Sequence, residues 1–146
     1  MSIKHRLSSK GFTLIELLIV MVIIGLLAAL VGPRMFGQLE GSKSKTAKVQ
    51  IEMLGAALDA YRLDMNSYPS SEAGLGALWT APVTGDGTVA SGWRGPYLKK
   101  PVPADPWGKP YLYRSPGQKG EYDLFSYGKD GVEGGDGDNA DVVSWQ

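Results

Sequence analysis

Two places in this 146-residue chain hold side chains whose type and spacing could do chemistry. The first is Glu16, the one acid in the otherwise apolar run "FTLIELLIVMVIIGLLAALV" (12–31). A carboxylate in hydrocarbon is costly, so an acid kept there points to a function and to a partner. The second is "GKDGVEGGDGDNAD" (128–141), where acids are interleaved with glycines. Hard cations such as Ca²⁺ take about six to eight oxygens from carboxylates, carbonyls and amides, and glycines let a backbone wrap round the ion. The spacing is not that of an EF-hand, which needs D-x-D-x-D-G and a Glu at the twelfth place. By chemistry alone, this stretch is either a cation loop or a solvated acidic turn.

Other chemistries are closed off by what the chain lacks. It has no Cys, so neither disulfides nor thiol catalysis enter. Its only His is His5, near the N-terminus, which argues against a Ser-His-Asp site. Acid pairs exist within 130–141, but a Gly-rich loop offers no apolar pocket to raise a carboxyl pKa, so a hydrolase is a poor fit. "GVEGGDGD" lacks the Lys-Ser/Thr ending of a phosphate-binding loop. Formal net charge is zero, which argues against a nucleic-acid partner. That balance hides an asymmetry. Lys4, Arg6 and Lys10 stand without an acid in the first ten residues, whereas 121–146 carries seven acids against Lys129.

The elements that must position these groups follow from periodicity. Phe12 to Val31 is 20 residues, the length a helix needs to cross ~30 Å of hydrocarbon. A cleaved secretory signal has an apolar core of only ~7–15 residues, followed by a small-residue cleavage site. Here Gly32-Pro33 and Arg34 follow instead. The basic leader stays in the cytoplasm by the positive-inside rule, although Lys43, Lys45 and Lys48 then lie on the exported side. Pro33 is expected to kink or locally melt the helix. Beyond it, Ala47, Ile51, Leu54, Leu58, Tyr61 and Met65 recur in steps of three and four, one face of an amphipathic helix. One long helix over about 12–65 is predicted, with Gly37 and Gly41 as weak points. From Asn66 the composition turns to Pro, Gly and aromatics. The pattern predicts a short helix around Glu72–Leu78 capped by Ser70 or Ser71, then an ordered loop over 80–111 anchored by Trp93, Tyr97, Leu98, Val102 and Trp107. "PYLYRS" (110–115) and "EYDLFSYG" (121–128) alternate as strands of a hairpin turning at Pro116-Gly117 and Gly120, and "DVVSW" (141–145) predicts a last short strand. The expected fold class is α+β, a long N-terminal helix packed on a small antiparallel sheet.

The N-terminal residues resemble a known signature. A short basic leader ending in Gly11, then Phe12-Thr13-Leu14-Ile15-Glu16 and an apolar run, is similar to the type IV pilin motif G-F-T-L-x-E. "SYPSSEAGLGALW", "GPYLKK", "DPWGKPYLYRSPG" and "DLFSYGKDG…GGDGDNADVVSW" narrow the resemblance to the major pseudopilins of type II secretion systems, along nearly the whole chain. The absence of Cys agrees, since many type IV pilins carry a C-terminal disulfide loop.

The resemblance implies roles for particular residues. A prepilin peptidase would cut after Gly11 and methylate the new N-terminus at Phe12. The α-ammonium thus created gives Glu16 a partner: in axially staggered subunits, Glu16 of one would meet the Phe12 ammonium of the next. Pairing within one chain, or snorkelling to the interface, is the plainer alternative. The family's Ca²⁺ site would fall in the acidic loop. Asp130 and Asp141 match its carboxylate ligands best, and Asn139 stands where many relatives have Asp. The carbonyl of Tyr127 and a main-chain oxygen near Gly135 or Asp136 would complete the shell, with Asp138 as a substitute ligand. On this reading the chain comprises a leader (1–11), a membrane and assembly half of the helix (12–33), and an exported domain (34–146). The last has helix to about 65, a variable loop over 66–110, and the sheet and metal loop over 111–146. The implied protein is a structural subunit, not an enzyme. It is anchored once in the bacterial inner membrane with its C-terminal domain in the periplasm. There it polymerises with itself, minor pseudopilins and the inner-membrane secretion platform into a filament that helps move folded exoproteins across the outer membrane. A type IV pilus subunit for adhesion or motility is the alternative.

Overall fold

A computed structural model describes residues 11–146, so the expectations for Lys4, His5, Arg6 and Lys10 lie outside the described residues. The chain divides into two compact units, one ending at Gln38 and one spanning Leu39–Gln146. Helix α1 (Leu14–Met65) runs through both.

In the first unit α1 is apolar and uncovered. An 18-residue window reaches a mean hydropathy of 3.1, and the large side chains from Leu14 to Val31 are exposed. Water does not tolerate so much contiguous apolar surface, so lipid or other helices must cover it. The helix continues through Pro33 without interruption. The expected local melting is therefore absent. Pro33 forfeits one ladder hydrogen bond, that to the Ala29 carbonyl, and α1 continues on both sides of that single gap.

In the second unit the predicted face of α1 is the core. Ala47, Ile51, Leu54, Leu58 and Tyr61 are buried, joined by Ala57, while Met65 packs at the margin. Asn66 ends the helix at φ 57°, the left-handed conformation that satisfies terminal carbonyls and that Asn adopts more readily than other side chains. The helix expected at 72–78 is shorter and of another type, a 3-10 turn at Leu75–Leu78. Gly74 at φ 60° breaks the α path before it. Gly74, not a serine, is therefore the N-cap, without a side-chain cap bond; Ser70 closes the preceding turn, accepting from the Ala73 amide at 3.2 Å, and Ser71 ties this segment to Ser115 through its hydroxyl. The loop over 80–111 is irregular and anchored. Trp93, Tyr97, Leu98 and Val102 pack on the core, and the Trp93 indole N–H donates to the Ala77 carbonyl at 2.8 Å.

Three short strands close the domain in the order β1 (Leu112–Arg114), β2 (Asp123–Ser126), β3 (Val142–Val143), all antiparallel. Leu112 faces Phe125 and Arg114 faces Asp123; Phe125 faces Val143 and Ser126 faces Val142. The alternation expected of β2 is absent, since all four of its residues are buried. It lies between two neighbours, with polar partners inside for its polar residues. Asp123 is the hub of the hairpin. Its carboxylate accepts from the Gln118 amide at 2.8 Å and the Lys119 amide at 3.0 Å, and Arg114 approaches to 3.3 Å. Gly117 sits so close that a Cβ there would come within 2.6 Å of the carboxylate and of backbone.

Burial pushes the Asp123 carboxyl pKa up, but the Gln118 and Lys119 amides, Arg114 and the Gly120 amide outweigh it, and the group stays below the usual carboxylate value. Its stabilisation is thus present above the unfolded pKa and is lost as pH falls through the folded one. Asp123→Ala orphans two amides and a guanidinium and is expected to cost about 2–3 kcal/mol. Urea melts at neutral pH check this, and the difference from wild type should shrink in strong acid.

Candidate functional site

Glu16 lies in the first turn of α1, where Thr13-Leu14-Ile15-Glu16 forms a reciprocal cap. The Thr13 amide donates to Glu16 Oε2 at 2.8 Å, and the Glu16 amide donates to Thr13 Oγ1 at 3.3 Å. This is the S/T-x-x-E capping box, which satisfies two of the donors that every helix start leaves open. The pattern was readable in the sequence and gives Glu16 a local role beside any intersubunit one. The other carboxylate oxygen, Oε1, has no hydrogen bond among the described residues. Phe12 is 83 % exposed, and Glu16 is exposed beside it. The carboxylate is thus held at the helix start through one oxygen, Oε2. Gly11 is exposed and precedes the helix, as a peptidase substrate bond must.

The acidic loop is built on a buried polar relay that sequence reasoning missed. Asp105, in "DPWG", is 5 % exposed. Its Oδ1 accepts from the Trp107 and Lys109 amides at 3.1 and 2.8 Å, and its Oδ2 accepts from the Ser126 hydroxyl at 2.6 Å. Ser126 Oγ in turn accepts from the Gly128 amide at 3.2 Å, where the loop departs from β2. The loop then folds back on itself. Gly128 (φ 68°) passes so near the Ala140 carbonyl that a Cβ would sit 2.7 Å from it, and Gly135 (φ 88°) is as close to the Asn139 carbonyl, at 2.6 Å. Only glycine fits either place. The Lys129 amide donates to the Asp138 carbonyl at 3.2 Å, and a single 3-10 turn spans Gly137–Asn139.

Within this frame the predicted ligands have the following partners. Asp141 Oδ2 accepts from the Gly134 amide at 2.9 Å, while its Oδ1 is buried with no hydrogen-bond partner. Asp130 Oδ1 accepts from the Val132 amide at 3.1 Å, an Asx turn at the loop's entry. The Asn139 amide N–H donates to the Asp136 carbonyl at 3.1 Å, and the Tyr127 ring stands against Phe125 with centroids 5.2 Å apart. No cluster of three His, Cys, Asp or Glu side chains is gathered among the described residues, so Asp130, Asp136, Asp138 and Asp141 do not form a carboxylate nest. The orphaned Asp141 oxygen and the tight glycine backbone fit a hard cation served mainly by carbonyl and amide oxygens, with one or two carboxylates.

Comparisons with known proteins fall on the same segments. A family model described as type II secretion system protein G matches residues 34–145, and one described as the prokaryotic N-terminal methylation motif matches residues 6–32. The type II secretion system core protein G of Pseudomonas aeruginosa is 47 % identical over 141 residues, covering 97 % of this chain and 98 % of that protein. The core protein G of Vibrio cholerae is 42 % identical, with 97 % and 95 % covered. Among solved structures, the major pseudopilin from the type 2 secretion system of enterohaemorrhagic Escherichia coli aligns with a TM-score of 0.63 at 34 % identity, covering 75 % of this chain and 87 % of that one.

Proposed function

Because the chain belongs to the type II secretion system protein G family, we propose that it is the repeating subunit of a periplasmic pseudopilus. The observation that carries this is the family match along 34–145 joined to the methylation motif over 6–32. The same match favours type II secretion over a surface pilus for adhesion or motility. The family is one of structural subunits, and the residues fit that role. Before assembly, the 12–31 segment of the helix lies in the inner membrane as a single span, with residues from 34 onward in the periplasm. Prepilin peptidase removes the leader after Gly11, and Phe12 becomes the methylated terminus. Glu16, whose Oε1 has no hydrogen bond among the described residues, then accepts the Phe12 ammonium of a neighbouring subunit, neutralising both charges and fixing the axial stagger. At an effective dielectric of ~20, opposite charges ~4 Å apart attract by about 4 kcal/mol, enough to set a register. Growth from the membrane side, with minor pseudopilins and the inner-membrane platform as partners, would help carry folded exoproteins across the outer membrane.

Calcium is proposed as a structural ion of the acidic loop. Asp130, Asp141 and Asn139, with carbonyls of Tyr127 and of Gly135 or Asp136, would hold it, and Asp138 would stand in where needed. Its double charge would offset the loop's acids. The chain's own residues do the rest: the Asp105–Ser126–Gly128 relay fixes the loop's origin, and β3 fixes its end.

Deleting the gene and assaying the exported enzymes tests the function. Loss of their release, with restoration by the cloned gene, is the expected result. Unimpaired release together with loss of long surface fibres would instead return the pilus reading. Processing has its own test. Gly11→Leu should leave essentially all of the protein uncleaved, seen as a band about 1.2 kDa larger on a gel, since ~11 residues remain.

A further inference from the structure

The acidic loop is met by a cation that the chain itself supplies. Lys109 Nζ donates to the Lys129 carbonyl at 3.2 Å and lies over Gly131, where a Cβ would overlap the ammonium. The Lys109 backbone is held in place. The Lys109 amide donates to Asp105 Oδ1 at 2.8 Å, and the Lys109 carbonyl accepts from the Asp105 amide at 2.7 Å. Asp105 is itself locked by Ser126. The buried relay that starts the loop therefore also holds the backbone from which the Lys109 side chain reaches it. The loop carries Asp130, Glu133, Asp136, Asp138 and Asp141 against Lys129. Lys109 does not pair with any of these carboxylates; it takes a main-chain carbonyl, the kind of oxygen a hard cation would seek.

We propose that Lys109 is a tethered cation that partly replaces the divalent ion, ordering the loop when calcium is scarce and weakening calcium binding when it is present. Two consequences follow from charge alone. Without metal, the ammonium offsets repulsion among the loop's acids. With metal, a positive charge close to a dication opposes it, on the order of tenfold in affinity. Lys109 is thus a positioning residue that sets how much calcium the loop demands. The proposal rests on the metal reading above, but its test separates the two.

The experiment is thermal melting of full-length protein in detergent, in EDTA and across a calcium titration, for wild type, Lys109→Met, Lys109→Gln and Lys109→Arg. Both neutral variants should melt lower than wild type in EDTA. Both should also gain more from calcium, with the calcium midpoint about tenfold lower. Lys109→Arg, which keeps the charge, should track wild type. A loss that is equal at every calcium level would make Lys109 merely structural and overturn the proposal. Should wild type respond to calcium and the neutral variants respond no more strongly, Lys109 has no part in the demand, and the metal reading survives alone. A response in the neutral variants with none in wild type would uphold the tethered cation and overturn calcium for the native chain. No response in any of them removes both. Should the Met variant fold poorly, isothermal calcium titration of Lys109→Gln measures the same shift in affinity directly.

Discussion

Glu16→Val is expected to yield protein that inserts and loses its leader, yet gives no sheared filaments and at least tenfold less enzyme release. Removing an acid makes the span more apolar, so insertion is not hindered. The 39–146 unit has its own core around Leu54, Leu58, Leu78 and Leu124, so it should melt as in wild type. What is lost is the acceptor for a neighbouring Phe12 ammonium, which would then be buried without a counter-charge. Immunoblots of membrane and sheared fractions, with an assay of an exported enzyme, measure each step. Filaments at wild-type yield from Glu16→Val would end the charge-pairing account.

The capping box sharpens this test. Glu16 accepts from the Thr13 amide within its own chain, so a defect in Glu16→Val could come from a weakened helix start. Only the N3 half of the box is lost, since the Thr13 hydroxyl still accepts from the amide of residue 16. Glu16→Gln resolves the two, because Gln also serves as the fourth residue of the box while carrying no charge. Assembly by Glu16→Gln would assign Glu16 to the helix start; failure would assign it to the neighbour.

The fold was legible where burial is periodic. The steps from Ala47 to Tyr61 named the inner face of α1, and Pro116-Gly117 and Gly120 placed the hairpin. The misreadings have physical causes. At Pro33 the local melting allowed for is absent, because the missing N–H removes a single ladder bond and the helix runs on as one element. The short helix at 72–78 was shifted because Gly74 adopts a left-handed conformation that no periodicity reveals. β2 has no exposed face, and its polar residues find partners inside, Asp123 in the hairpin turn and Ser126 at Asp105, distant in sequence. For the same reason the relay from Asp105 to Ser126 was invisible. Its members stand 21 positions apart, and neither motif alone demands the other. The acidic loop's residues were legible as oxygen donors, but their mutual placement depends on which glycines adopt positive φ.

That placement decides the last expectation. If calcium fills the loop at about a hundred times its dissociation constant, it contributes about 2.7 kcal/mol. Chelation of wild type should then lower the melting temperature by about 10 °C for a domain of this size. Asp141→Ala should melt near the chelated wild type, and chelation should lower it no further. Non-additivity is the signature sought, because a lost hydrogen bond to the Gly134 amide would destabilise equally with and without EDTA. Asp141 is the informative position because its buried Oδ1 has no protein partner, and the next residue, Val142, begins β3. An ion on that oxygen would fasten the last strand to β2 through Ser126 and Phe125. Should chelation leave wild type unmoved, the orphaned oxygen is not a cation ligand. Order in the loop would then come from the close backbone passages at Gly128 and Gly135.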